Sequence, residues 1–221
     1  MFQNVSHNAK MRVEKMALKK IDIGNEIGRG WRLFQSNMGM LILAGVMLSV
    51  VASVTCFLLW GPLTAGMFLV ARRLLKNDTD KPQAGDIFKG LDFFVQALLV
   101  SVIAAVAACV IGWIPVIGQL ALLVIVAVAT WAFMFVAYEK LTAIEAFKKV
   151  ITLTQSGDLI LPLVLVVIAG LIGGLGVIVC VVGVFFTIPI TYCILACCYE
   201  TLFSGEPEVI DPIQIEPPPP L

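Results

Sequence analysis

The sequence predicts an all-α fold: a polytopic integral membrane helical bundle of six spans, paired as three hairpins, each preceded by a cytoplasmic interfacial amphipathic helix. Three observations predict it. Of 221 residues, 60% are hydrophobic and 14% charged, whereas soluble domains carry about 45–50% and about 25%, so polar surface is too scarce to cover an apolar interior in water. Apolar runs of about 20 residues, enough to cross a hydrocarbon core of about 30 Å, recur along the chain. The charges fall between those runs on one side only.

In chain order, residues 1–21 form a basic N-terminal segment suited to anionic lipid, and they hold His7, the single histidine. The membrane domain covers 22–203. Its first apolar stretch begins near Met38 and meets Gly61-Pro62 instead of a small-residue cleavage site, so it is expected to stay as a span. The spans are placed at about 40–60, 62–76, 93–113, 116–138, 159–181 and 184–203. Gly61 and Pro62, Gly112 and Pro115, and Pro189 mark the hairpin turns. The 62–76 arm is short and continues past Arg72 and Arg73 by letting their head groups snorkel to the interface.

Amphipathic stretches lead each hairpin. Ile23, Ile27, Trp31, Phe34 and Met38 keep helical spacing in the first, loosened by Gly24, Gly28 and Gly30. Ile87, Phe88, Leu91, Phe94 and Val95 oppose Asp86, Lys89, Asp92 and Gln96 in the second, and Ile144, Phe147, Val150, Ile151 and Thr154 oppose Glu145, Lys148, Lys149 and Thr152 in the third. Such helices lie in the headgroup layer.

All 15 Lys and Arg lie in three segments: seven in 1–37, five in 72–90 and three in 139–158. The turns between paired spans hold no charge, so six spans put every charge on one face and, by the positive-inside rule, both termini in the cytoplasm. The alternative is five spans, which would put the acidic tail outside and leave one hairpin unformed. That tail, 204–221, is Pro-rich and expected to be disordered, with polyproline character at its end.

The chain also repeats itself. "LFQSNMGMLIL" at 33–43 has its echo in "LTQSGDLILPL" at 153–163, and "GPLTAGMFLVARRLL" matches "IPITYCILACCYETL" in apolar pattern, with a shared Pro and a shared Thr two residues on. Aligning the prolines sets Glu200 opposite Arg73. Gln35, Ser36, Gln155 and Ser156 are read as junctions between interfacial helix and span, where polar side chains satisfy backbone groups at a bend. Gly170 and Gly174, in "GLIGGLG", allow close helix packing inside the bundle or at a homo-oligomer seam.

Chemistry-bearing constellations are missing from this pattern. The spans carry no Asp, Glu, Lys, Arg or His away from their charged ends, which argues against proton relays and metal cages. Ser49, Ser53 and Ser101 have no His to act as base. The six cysteines, Cys56, Cys109, Cys180, Cys193, Cys197 and Cys198, sit in apolar runs as small buried hydrophobes. No catalytic, cofactor-binding or metal-binding residue is expected, and zero net charge points to no nucleic acid.

The blocks "IDIGNEIGRGWRLFQSNMGMLILAG", "GPLTAGMFLVARRLLKND", "AGDIFKGLDFF", "AIEAFKKVITL" and "IPITYCILACCYETLF" resemble a set of bacterial multi-pass inner-membrane proteins of uncharacterised biochemistry. That set is similar in pattern to the membrane domain fused to some glycerophosphodiester phosphodiesterases. The resemblance spans about 21–203 and implies a bacterial inner-membrane location. It carries over no catalytic residue, and no phosphodiesterase domain is present.

The leading functional expectation is a non-enzymatic module organising membrane lipid or a protein partner at the cytoplasmic leaflet, the partner reached through the Pro-rich tail. The second is a channel or facilitator for a small neutral or apolar solute, suggested by the repeat and its broken helices. A cavity between the repeats is what the second requires.

Overall fold

The computed structural model describes residues 22–55, 58–76, 82–113, 117–155, 160–179 and 181–203. The expectations for 1–21, the tail, Pro115, Ser156, Cys56 and Cys180 fall outside them. Among the described residues the chain is helical throughout: α1 (Ile23–Ser36), α2 (Met38–Val54), α3 (Trp60–Leu75), a 3-10 segment (Ala84–Phe93) that continues into α4 (Phe94–Gly112), α5 (Ile117–Glu139), α6 (Ala143–Gln155), α7 (Ile160–Val179) and α8 (Val181–Phe203).

Local sequence sets the helix starts. Asp22 Oδ1 accepts the N–H groups of Gly24 and Asn25 at 3.0 and 3.4 Å, capping α1. Gln83 and Asp86 form a capping box on the 3-10 segment. Thr142 and Glu145 form another on α6: the Thr142 N–H and hydroxyl both donate to Glu145 Oε2, at 3.0 and 2.8 Å. Gln96 of α4 accepts the N–H of Ala143 at 2.9 Å and so ties the start of α6 to a distant helix.

α1 and α2 meet at 92°. Asn37 makes that bend: it leaves helical angles (φ −130°, ψ 24°), its backbone N–H donates to Phe34 O, and its side-chain amide donates to Leu33 O at 3.1 Å. Gln35 and Ser36 are exposed, and their side chains make no hydrogen bond among the described residues. The polar work of the junction falls to Asn37 because its short amide reaches back to a carbonyl that the terminated helix leaves open.

Two helices form the centre. In α3, 12 of 16 residues are buried, and in α8 every residue from Pro189 to Glu200 is buried except Thr191. α8 packs on α7, α1, α3 and α2, and α3 on the 3-10 segment, α8, α5, α4 and α2. Around them α4 exposes Val95, Leu99, Val102, Ile103, Val106 and Val110, and α5 exposes Leu123, Val124 and Val126. An apolar belt of this kind suits lipid, not water.

This is a helical membrane protein. Three helical units are long and apolar enough to cross a membrane, Ala84–Gly112, Ala121–Glu139 and Phe185–Phe203, or four if the bent pair α1–α2 counts as one. That is fewer than the six spans the sequence predicts. α3 falls short because its 16 residues reach only about 24 Å, carry Arg72 and Arg73 in the last turn, and are mostly buried against other helices. α7 runs over Ile160–Val179, and its stretch Pro162–Ile172 is apolar.

The leading amphipathic stretches differ in detail from their sequence stripes. α1 buries Glu26, Gly30, Leu33 and Phe34, while Trp31 and Met38 are exposed. The reason is Gly30: a Cβ there would lie 2.6 Å from Ile194 Cα, so only glycine lets the α1 backbone rest on α8. The second stretch does not stand apart, since 84–93 joins α4 in one 29-residue unit. Here Gly66 and Gly90 bring backbones together; a Cβ on Gly66 would collide with Ile87 O, and one on Gly90 with Pro62 O. The third, α6, buries Ala143, Ala146 and Val150 and exposes Ile144 and Ile151.

Candidate functional site

Between α3, α4, α5, α7 and α8 lies a cavity of about 560 Å³, within the usual size of small-molecule sites. Each wall follows from the sequence. α4 contributes the small residues Ala104, Ala105 and Ala108, and α7 contributes Gly170, which together leave room that larger side chains would fill. α3 and α8 contribute positions related by the proline alignment: Thr64 with Thr191, and Phe68 with Leu195. The two matched arms therefore face one space. Ala105, Val126 and Gly170 are exposed as well as lining it, so the mouth opens on the flank of the bundle.

The polar groups in the lining are few and mostly committed. The hydroxyl of Thr64 donates to Gly61 O at 2.7 Å, Ser101 to Ala97 O at 3.0 Å, and Thr130 to Val126 O at 2.7 Å. Thr191 donates across to Ala169 O of α7 at 3.0 Å, with Thr187 O at 3.1 Å. Each hydroxyl has its proton engaged in that bond and keeps lone pairs free to accept. Tyr192 differs: it is 9% exposed and its hydroxyl has no hydrogen-bond partner among the described residues.

Toward the charged end an aromatic and ionic layer closes the cavity. Phe68 meets Tyr192 and Tyr138 edge to face, at centroid distances of 4.8 and 6.3 Å, and the Tyr138 hydroxyl donates to Phe68 O at 2.9 Å. One turn on, the Arg72 guanidinium lies 4.5 Å from the Tyr138 ring centre and pairs with Glu200, which is 6% exposed. Lys76 Nζ is 3.7 Å from the same carboxylate.

Three consecutive residues of α8 carry that layer outward. The Tyr199 hydroxyl donates to Glu139 Oε1 at 2.8 Å, and Lys149 reaches the same carboxylate at 2.7 Å. Glu200 holds Arg72. The Thr201 hydroxyl donates to Glu26 Oε1 at 2.8 Å and accepts from Arg29 at 2.7 Å. Glu26 is only 3% exposed, a burial tolerable because both partners are in place. The proline alignment set Glu200 against Arg73, but Arg73 pairs with Asp86 at 2.9 Å, and Arg72 is the residue that faces α8. Asp86, on the polar side of the second amphipathic stretch, also binds Lys89 at 2.9 Å.

Of the remaining predicted positions, Gly61 and Pro62 lie in the first turn of α3, and a Cβ on Gly61 would strike Ser101 Oγ. Gly112 ends α4 and Gln155 ends α6. Pro189 lies inside α8, with Gly45 of α2 against its ring. Gly170 and Gly174 share α7, but a Cβ on Gly170 meets nothing within 4 Å; the close backbone contacts expected there are made by Gly30, Gly61, Gly66 and Gly90. Cys193, Cys197 and Cys198 are buried, and among the described residues no three His, Cys, Asp or Glu gather to hold a metal. Sequence reading missed Tyr192, Tyr138 and the Arg72–Glu200 pair. The aligned threonines were the available signal for the cavity, and Thr142-x-x-Glu145 for the α6 cap.

Compared with family models, curated proteins and solved structures, the chain has no match.

Proposed function

We propose that the chain is a non-enzymatic membrane protein that binds membrane lipid, with one hydrocarbon chain entering the flank cavity. The carrying observation is that cavity: apolar, open beside the apolar belt, and lined by matched residues of α3 and α8. The bilayer supplies hydrocarbon at its mouth, at high concentration. A conducting path is the weaker reading, because Phe68, Tyr138 and the Arg72–Glu200 pair stand between the cavity and the charged end.

The same proposal sets the molecule in the bacterial inner membrane as six spans in three hairpins, with short α3 held between neighbours and both termini cytoplasmic. Support comes from the one-sided charges and from exposed Trp31, Ile144 and Ile151 on α1 and α6, which suit a headgroup layer. A second copy would find room at open Gly170, and a protein partner at the Pro-rich tail.

Native mass spectrometry in gentle detergent tests the lipid reading. Wild type retains a lipid adduct, and Gly170→Phe combined with Ala105→Phe, which fills the mouth, loses it. A bare wild-type monomer, or adducts equal in both proteins, overturns the reading. Topology is tested by a reporter fused after Leu221; periplasmic activity sinks the six-span arrangement.

A further inference from the structure

The cavity is more selective than a slot for hydrocarbon. An alkyl chain has nothing to offer the Tyr192 hydroxyl, a donor on a side chain 9% exposed that lacks a partner among the described residues. Unlike Arg29 Nε and Trp131 Nε1, which are sealed in without a partner, that hydroxyl stays accessible on a residue of the lining, so an occupant that bonds it is favoured over one that does not. The other lining hydroxyls, of Thr64, Ser101, Thr130 and Thr191, have all donated to backbone carbonyls and can only accept. Among the lining hydroxyls the inventory is thus one available donor and several acceptors, beside the indole N–H of Trp60 and with no charge.

An ionised headgroup is excluded by that inventory, since an uncompensated charge in an apolar site is heavily penalised. A ketone or quinone would use the donor and leave the acceptors idle. A hydroxyl uses both, accepting from Tyr192 and donating to a threonine or serine oxygen. We propose that the preferred occupant is a neutral long-chain alcohol drawn from the bilayer, its chain along α4 and α7 and its hydroxyl at Tyr192. This rests on the lipid-binding reading above and names the class of lipid.

The test uses the full-length protein in nanodiscs and a photoreactive analogue of hexadecanol carrying a diazirine on its chain, with labelled residues mapped by mass spectrometry. Labelling is expected on α4 and α7 lining residues and is competed by hexadecanol. The methyl ether, which accepts but cannot donate, competes roughly three- to tenfold less well, about the worth of one net hydrogen bond, and hexadecane less well again. Tyr192→Phe abolishes the advantage of the ether over the alkane. Thr64→Val with Thr191→Val abolishes that of the alcohol over the ether. Thermal unfolding of each variant verifies that its fold is kept, and Tyr192→Phe preserves the ring that packs on Phe68. If label never reaches the cavity, the lipid-binding reading itself fails. If it does, but alkane and alcohol compete equally, or Tyr192→Phe changes nothing, the alcohol preference alone is overturned.

Discussion

Glycine decides where backbones touch in this protein. Gly66 and Gly90 face each other across α3 and the 3-10 segment, each lying where a methyl group would enter a carbonyl of the other element. Gly66→Ala or Gly90→Ala is expected to lower stability by about 1–3 kcal/mol or more, because neither backbone can give way. Gly28→Ala, with nothing within 4 Å, should be neutral or stabilising by up to about 1 kcal/mol. Thermal denaturation in detergent checks the contrast, and equal behaviour of the three variants would remove the close approach. At the start of α6, the Thr142 hydroxyl and backbone N–H hold the Glu145 carboxyl below the usual glutamate range. A carboxyl whose pKa is depressed on folding stabilises above its unfolded pKa, and that contribution is lost as pH falls through the folded value. Thr142→Ala should therefore move the Glu145 titration, followed by NMR, upward toward the ordinary range; an unmoved titration would mean that the cap is absent in solution.

Among the elements, α8 is one of the two central helices, and its last turn shows how it is held. Tyr199, Glu200 and Thr201 point to α5, α3 and α1 in succession, so a single helical turn fastens three neighbours. Replacing Arg72 with Met takes the closest partner from a buried carboxylate and should cost on the order of 3 kcal/mol. The double variant Arg72→Met, Glu200→Met should cost less than Arg72→Met alone, since no carboxylate is then left behind. Additive losses in a double-mutant cycle would show that the pair contributes nothing as a pair. Helices were legible in the sequence because each is a local pattern; the hairpin turn placed at Pro189 was not, since that proline lies inside α8. The Arg72–Glu200 pair was not, since the partners lie 128 positions apart and a helical alignment misplaces by one residue the side chain that faces across. α1 was misread for a similar reason: its stripe suggested one face, but Gly30, which looked like a weakness, selects another.

For the whole molecule, composition revealed the apolar helices, and the matched prolines and threonines set α3 beside α8. What those patterns could not convey is that α3 and α8 are the innermost elements. An apolar residue reads the same whether it meets lipid or another helix, so α3 and α4 look alike as sequences, yet most of α3 is buried while α4 shows its valines outward. The cavity was equally silent, being defined by what Ala104, Ala108 and Gly170 lack. Only the paired threonines pointed at it.

The central place of α8 also has a bearing on biogenesis. It is the last described helix to leave the ribosome, and until it arrives Arg72 lacks its carboxylate, α1 lacks the helix that Gly30 rests on, and the cavity lacks the wall that bears Tyr192. By contrast, Gly66 and Gly90 belong to neighbouring elements and can seat before synthesis ends. Folding thus passes through a half-built stage in which Arg72 and Gly30 still lack their counterparts on α8.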